Sequence, residues 1–145
     1  MGNWLEQRAD EDRVFFEQAP TLWNDLKEDL KFCVGEFHKL YVPAGQEEII
    51  FEACAGNDQN CVRIRGKGSN RRLEVRFDLQ KLAVTWGDPT VAARQSTFAL
   101  GINDARSVEL RTGDTTVDVA QASRIILEKF LFPNGRRQPT PWPKS

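Results

Sequence analysis

The stretch CVRIRGKGSNRRLEVRFD, residues 61–78, decides the fold. Val62 and Ile64 alternate with Cys61, Arg63 and Arg65, and after the turn GKGSN, Leu73, Val75 and Phe77 alternate with Arg72, Glu74 and Arg76. Side chains that alternate with a period of two lie on a strand with one buried and one wet face. Two such runs around a glycine-rich turn predict a β-hairpin. A register that sets Phe51 opposite Ile64 and Ile64 opposite Leu73 also sets Glu52 beside Arg63 and Arg63 beside Glu74. That acid–base–acid order is the one cross-strand pairing favours. The same register leaves Arg65 facing Arg72 with no evident counter-charge.

The period of two continues outward from this hairpin. Upstream, Ile49, Phe51 and Ala53 alternate with Ile50, Glu52 and Cys54 ahead of the loop AGNDQN; downstream, a turn at Gln80-Lys81 leads to Leu82, Val84 and Trp86. STFALGI and SVELRT continue the pattern, so five to six strands with short links predict an antiparallel meander. Helical spacing brackets it. Residues 3–19 read as a short helix with Leu5, Ala9, Phe16 and Ala19 on one side, broken by Pro20. Thr21 then caps a second helix whose stripe is Leu22, Leu26, Leu30, Cys33, Phe37 and Leu40. Asp118 with Gln121 makes a capping box for a third, with Val119, Ala122, Ile126 and Phe130 facing inward and Pro133 ending it. The expectation is an α+β fold, a two-layer sandwich in which N-terminal and C-terminal helices cover one face of the sheet. Along the chain this divides into an N-terminal helical arm at 1–20, a single α+β domain at 21–133, and a proline-rich flexible tail at 134–145.

A chain of 145 residues suits one domain. Its net charge of −1 argues against a dedicated nucleic-acid binder, which carries a basic excess. Charge is nonetheless unevenly placed: residues 1–30 hold eight acids and three bases, a net of −5, whereas 63–76 hold six bases and one acid, a net of +5. Such asymmetry suits pairing within the chain or with a second copy. No run approaches the roughly 20 apolar residues that span a bilayer, and no basic-then-apolar leader opens the chain. The expectation is a cytoplasmic protein without membrane contact, in keeping with an odd count of three cysteines.

Chemistry-bearing residues are few. Arg63, Arg65, Lys67, Arg71, Arg72 and Arg76 could hold a phosphate or an acidic partner around the glycine turn. However, GKGSN lacks the Walker spacing and joins two strands, and the exposed phase has no aromatics for bases to stack on. A charged hairpin rim is therefore the leading reading, with nucleic acid or another polyanion as its rival. Cys54 and Cys61 flank one hairpin loop on the outer face, either as two reduced thiols or as a disulfide. No second cysteine pair completes a zinc site, so neither metal nor cofactor is expected.

His38 is the only histidine, and Cys33 lies about 140° from it around a helix, which excludes a local dyad. No G-x-S-x-G, H-E-x-x-H or G-x-G-x-x-G occurs. Glu52 and Glu74 flank Arg63, whose charge would lower both carboxyls, so they suit a salt ladder better than acid–base catalysis. Gly35 falls on the outer side of a strong helix, at a kink or where another chain comes close. The leading expectation is a protein-binding or self-associating module, its partner another protein or a homo-oligomer, without evident catalytic machinery. The alternatives are a polyanion binder through 63–76, and a small-molecule binder or carboxylate-dependent enzyme with a pocket between sheet and helices.

Overall fold

The structure is a computed structural model that describes residues 3–56, 58–91 and 94–133. The tail expected at 134–145 lies outside the described residues. Among those described, helix α1 (Trp4–Tyr41) precedes strands β1 (Ile49–Cys54), β2 (Asp58–Gly66), β3 (Arg72–Asp78), β4 (Ala83–Gly87), β5 (Ser96–Ile102), β6 (Val108–Thr112) and β7 (Thr115–Val117), and helix α2 (Val119–Leu131) closes the order. The strands form one antiparallel sheet in sequence order, β1 through β7. Both helices cover one face of it, which is the two-layer α+β sandwich expected from periodicity.

Register follows from the pattern because a slip of one residue would turn every apolar side chain to the wet face. Phe51 stands opposite Ile64 and Ile64 opposite Leu73, while Glu52 faces Arg63 and Arg63 faces Glu74. Arg65 faces Arg72, as the hairpin requires. The sheet has one strand more than expected. β7 is only three residues long, too short to show alternation, and joins β6 through Gly113, whose φ of 61° favours glycine.

The larger departure concerns Pro20. A break between two helices was expected there, yet α1 runs unbroken through it for 38 residues and is capped by Asn3, whose side chain accepts the Leu5 N–H, rather than by Thr21. Proline lacks the N–H that would bond the carbonyl of Phe16, and its ring crowds that carbonyl. Packing on both sides overrides this cost. Phe15 and Ala19 before the proline, and Trp23 and Leu26 after it, are all buried, while Pro20 itself points to solvent. Gln18 adds a tether, donating to the Arg106 carbonyl and accepting the Val108 N–H at 2.9 Å each. The buried stripe of this first portion is accordingly Val14, Phe15 and Ala19, whereas Leu5 and Phe16, expected inside, are exposed.

Beyond Pro20 the stripe of Trp23, Leu26, Leu30, Val34 and Phe37 meets Ile64, Val75 and Phe77 from the sheet and Ile126 and Leu127 from α2. Trp23 stacks on Phe77 with ring centroids 5.6 Å apart, and its indole N–H donates to the Gln59 carbonyl. Each fully buried leucine in such a layer contributes roughly 2 kcal/mol. Asp118 and Gln121 complete the capping box that starts α2.

Candidate interaction surfaces

Six basic side chains were expected around the β2–β3 turn, and the structure brings them together as a rim, but their charges are met from within the chain. Arg63 pairs with Glu74 at 3.5 Å and Arg65 with Glu52 at 2.9 Å. The ladder thus closes diagonally: Glu52 faces Arg63 in register but binds Arg65, relieving its opposition to Arg72. Arg76 binds Glu74 at 2.9 Å, and Lys67 binds Glu48 at 2.9 Å. Arg72 lies within electrostatic reach of Asp88, whose carboxyl the Thr90 hydroxyl and N–H hold below its ordinary value, with Arg72 and Arg94 adding to the effect.

Arg71 works as a clamp. Its guanidinium binds the Glu47 carboxylate at 2.6 Å, donates to the Phe130 carbonyl, and lies over the Phe130 ring at 5.1 Å. Glu47 also accepts the Ser69 hydroxyl and the Gly68 N–H. Burial pushes the Glu47 carboxyl up, but the Ser69, Arg71 and Gly68 hydrogen bonds outweigh it and leave the group below its ordinary value. The role of Glu47 and Glu48 went unread in the sequence. Antiparallel pairing supplies the missing signal, since the start of β1 must lie beside the end of β2, and Ile49 does stand opposite Gly66.

Cys54 and Cys61 are joined as a disulfide, with Cα atoms 5.5 Å apart. Ladder register shifts between Ala53 and Cys54, so Cys54 stands opposite Asp58 rather than Cys61, and the bridge staples the β1–β2 loop across that irregularity. Glu74 offers a carboxylate beside the two sulfurs, within 4.8 Å. While bonded to each other the sulfurs present no thiolate, the form that binds metal ions. Cys33, expected in the core, is half-buried beside Asp29. Burial raises its thiol pKa first, and the nearby carboxylates of Asp29 and Glu36 add to the rise, so it stays a thiol. His38 uses Nε2 to accept the Ile49 N–H at 2.9 Å, fixing the junction of α1 with β1.

The third feature is a set of exposed apolar side chains strung along α1. Trp4 is 69% exposed, Phe16 68%, Phe32 63% and Leu40 53%, and Leu5 also faces outward. Five of the six large hydrophobic side chains exposed among the described residues therefore lie on α1, the sixth being Ile125 of α2. The opening turns from Trp4 to Arg13 bury no residue, and Asp10 ties them to Arg106 at the β5–β6 turn. Leu40 was expected within the stripe. Phe32 drew no notice in the sequence, although it falls off the three-and-four spacing that marks the core. Gly35 lies on the same outward side, and a Cβ placed there would meet no atom within 4 Å. No family model, curated protein or solved structure matches the chain.

Proposed function

We propose that this protein is a protein-binding module whose contact element is α1. One observation carries the reading: five of the six exposed large apolar side chains among the described residues lie on one helix, along with opening turns that bury nothing of their own. Scattered apolar residues are ordinary on a surface, and what supports the reading is that so many of them fall on one element. The rival reading, polyanion binding at the hairpin, is weaker because a phosphate would compete at five of the six cations with a carboxylate already in place. A cytoplasmic setting belongs to this proposal only together with a Cys54–Cys61 bridge that reductants open, since disulfides persist in oxidising compartments.

Site-specific photo-crosslinking in cells tests the reading. A photoreactive side chain at position 16 or 32 should capture protein adducts, and one at Thr97, on the open face of the sheet, should capture few. Equal capture at all three positions, or none at the two α1 positions, would reject α1 as the contact element.

A further inference from the structure

Gly35 has no packing explanation among the described residues. Glycine in a helix interior costs about 1 kcal/mol against alanine. Close approach of another element usually accounts for it, yet among the described residues nothing lies within 4 Å of the space its Cβ would fill. Its neighbours on the outward face are specific. Glu28, Phe32, Gly35 and Lys39 are all exposed. They follow one another at spacings of four, three and four, which places them within an arc of about 60°. That spacing is the seam repeat by which two helices pack against each other.

The order of the four residues is self-complementary in one direction only. With two copies of α1 side by side and parallel, Glu28 would meet Glu28 and Lys39 would meet Lys39. With the copies antiparallel about a two-fold axis, the register that sets Phe32 of one copy over Gly35 of the other does the same for the second Phe32 and Gly35. It also brings each Glu28 beside the Lys39 of the other copy, one ion pair at either end of the seam. The ring of Phe32 then fills the space that the missing Cβ leaves open. Isologous contacts of this kind, in which one patch meets itself, are the commonest way for a chain to form a closed dimer.

We propose that the protein self-associates through α1 as an antiparallel, two-fold helix pair, with Phe32 of each copy packed over Gly35 of the other and Glu28 paired with Lys39. The proposal rests on the reading of α1 as the contact element and names its occupant as a second copy of this chain. The seam spans about 16 Å along the helix, so the interface lies below the roughly 1,200 Å² of a tight complex and the dimer is reversible.

Sedimentation velocity of the full chain over a concentration series is the test, with three variants beside it. Gly35→Gln should raise the dissociation constant at least about tenfold by putting a side chain where the ring packs. The same variant should melt higher as a monomer, because it removes a helix-interior glycine into open space, so failure to fold cannot mimic the effect. Glu28→Lys should weaken the dimer by a similar factor through like charges at both ends, and Glu28→Lys with Lys39→Glu should restore it. A dimer indifferent to Gly35→Gln and to Glu28→Lys alone would overturn the seam while leaving α1 as a contact element. A monomer at every concentration would overturn self-association itself, and crosslinks from positions 16 and 32 to other proteins would then show that the broader reading survives.

Discussion

His38 illustrates how much a single side chain can settle through one hydrogen bond. Its ring nitrogen accepts the N–H of Ile49, a residue only 2% exposed, at the first position of β1. His38→Ala would leave that N–H without this acceptor, so urea unfolding should show a loss of about 1–2 kcal/mol. Ser123 is the opposite case. Its hydroxyl is fully buried in α2 with no hydrogen-bond partner among the described residues. Ser123→Ala removes an unsatisfied polar group and should be neutral or stabilise by about 1 kcal/mol in the same measurement. A marked loss would mean that the hydroxyl has a partner, such as a buried water. Arg71 and Glu47 show why a basic cluster is a poor guide to anion binding: the cation a phosphate reader would prize is held by a carboxylate, a carbonyl and a ring.

At the scale of elements, α1 persists through a residue that ordinarily ends helices. Proline in a helix interior costs about 3 kcal/mol, and the buried stripe on either side outweighs it because both segments must lie on the same sheet. Pro20→Ala should therefore raise the unfolding free energy, by up to about 3 kcal/mol. No gain would indicate that the bend proline imposes is itself needed to keep Phe15 and Trp23 on the sheet together. The β1–β2 hairpin relies on a different device. Its loop interrupts the ladder, and the Cys54–Cys61 bridge closes it over a separation of seven residues. Replacing both cysteines by serine should cost about 2 kcal/mol, the effect of freeing so short a loop in the unfolded chain. Equal stability of the variant and the untreated protein would mean that the pair is reduced in solution.

Across the whole molecule, the carboxylates of the rim and turns link stability to acidity. Glu47 is held below its ordinary value despite burial, Glu48 by Lys67, and Glu109 by the Thr116 hydroxyl and then Arg111. A carboxyl whose folded value is depressed stabilises the fold above its unfolded value, and that contribution is lost as the pH falls through the folded one. Stability should thus hold from neutral pH to the ordinary glutamate value of 4.5 and decline below it. Denaturant unfolding at pH values down to about 3 measures the decline. Glu47→Gln should be less stable at neutral pH and show a shallower fall on acidification. A parallel fall would mean that the Arg71 clamp does not depend on the Glu47 charge.

The sequence by itself determined the antiparallel order of the sheet and the register of its central hairpin, but not its seventh strand. Alternation assigned residues 62–65 of β2 and the residues of β3 to their faces, and the positions of Phe51, Ile64 and Leu73 set the register of the first three strands. Residues 58–60, expected in a loop, nonetheless extend β2, and Ala53 is exposed. The capping box of α2 was equally legible, because Asp118 and Gln121 act within one turn. Such features are local: the residues that decide them are neighbours in the chain or across a hairpin. Only the tertiary structure decided that α1 runs through Pro20, that Glu47 claims Arg71, that the loop cysteines meet, and that Phe16, Phe32 and Leu40 are left outside. Each of these depends on contacts between elements distant in the chain. Burial against such an element can outweigh a local preference of a few kcal/mol, and only the assembled layers show which side chains it leaves uncovered.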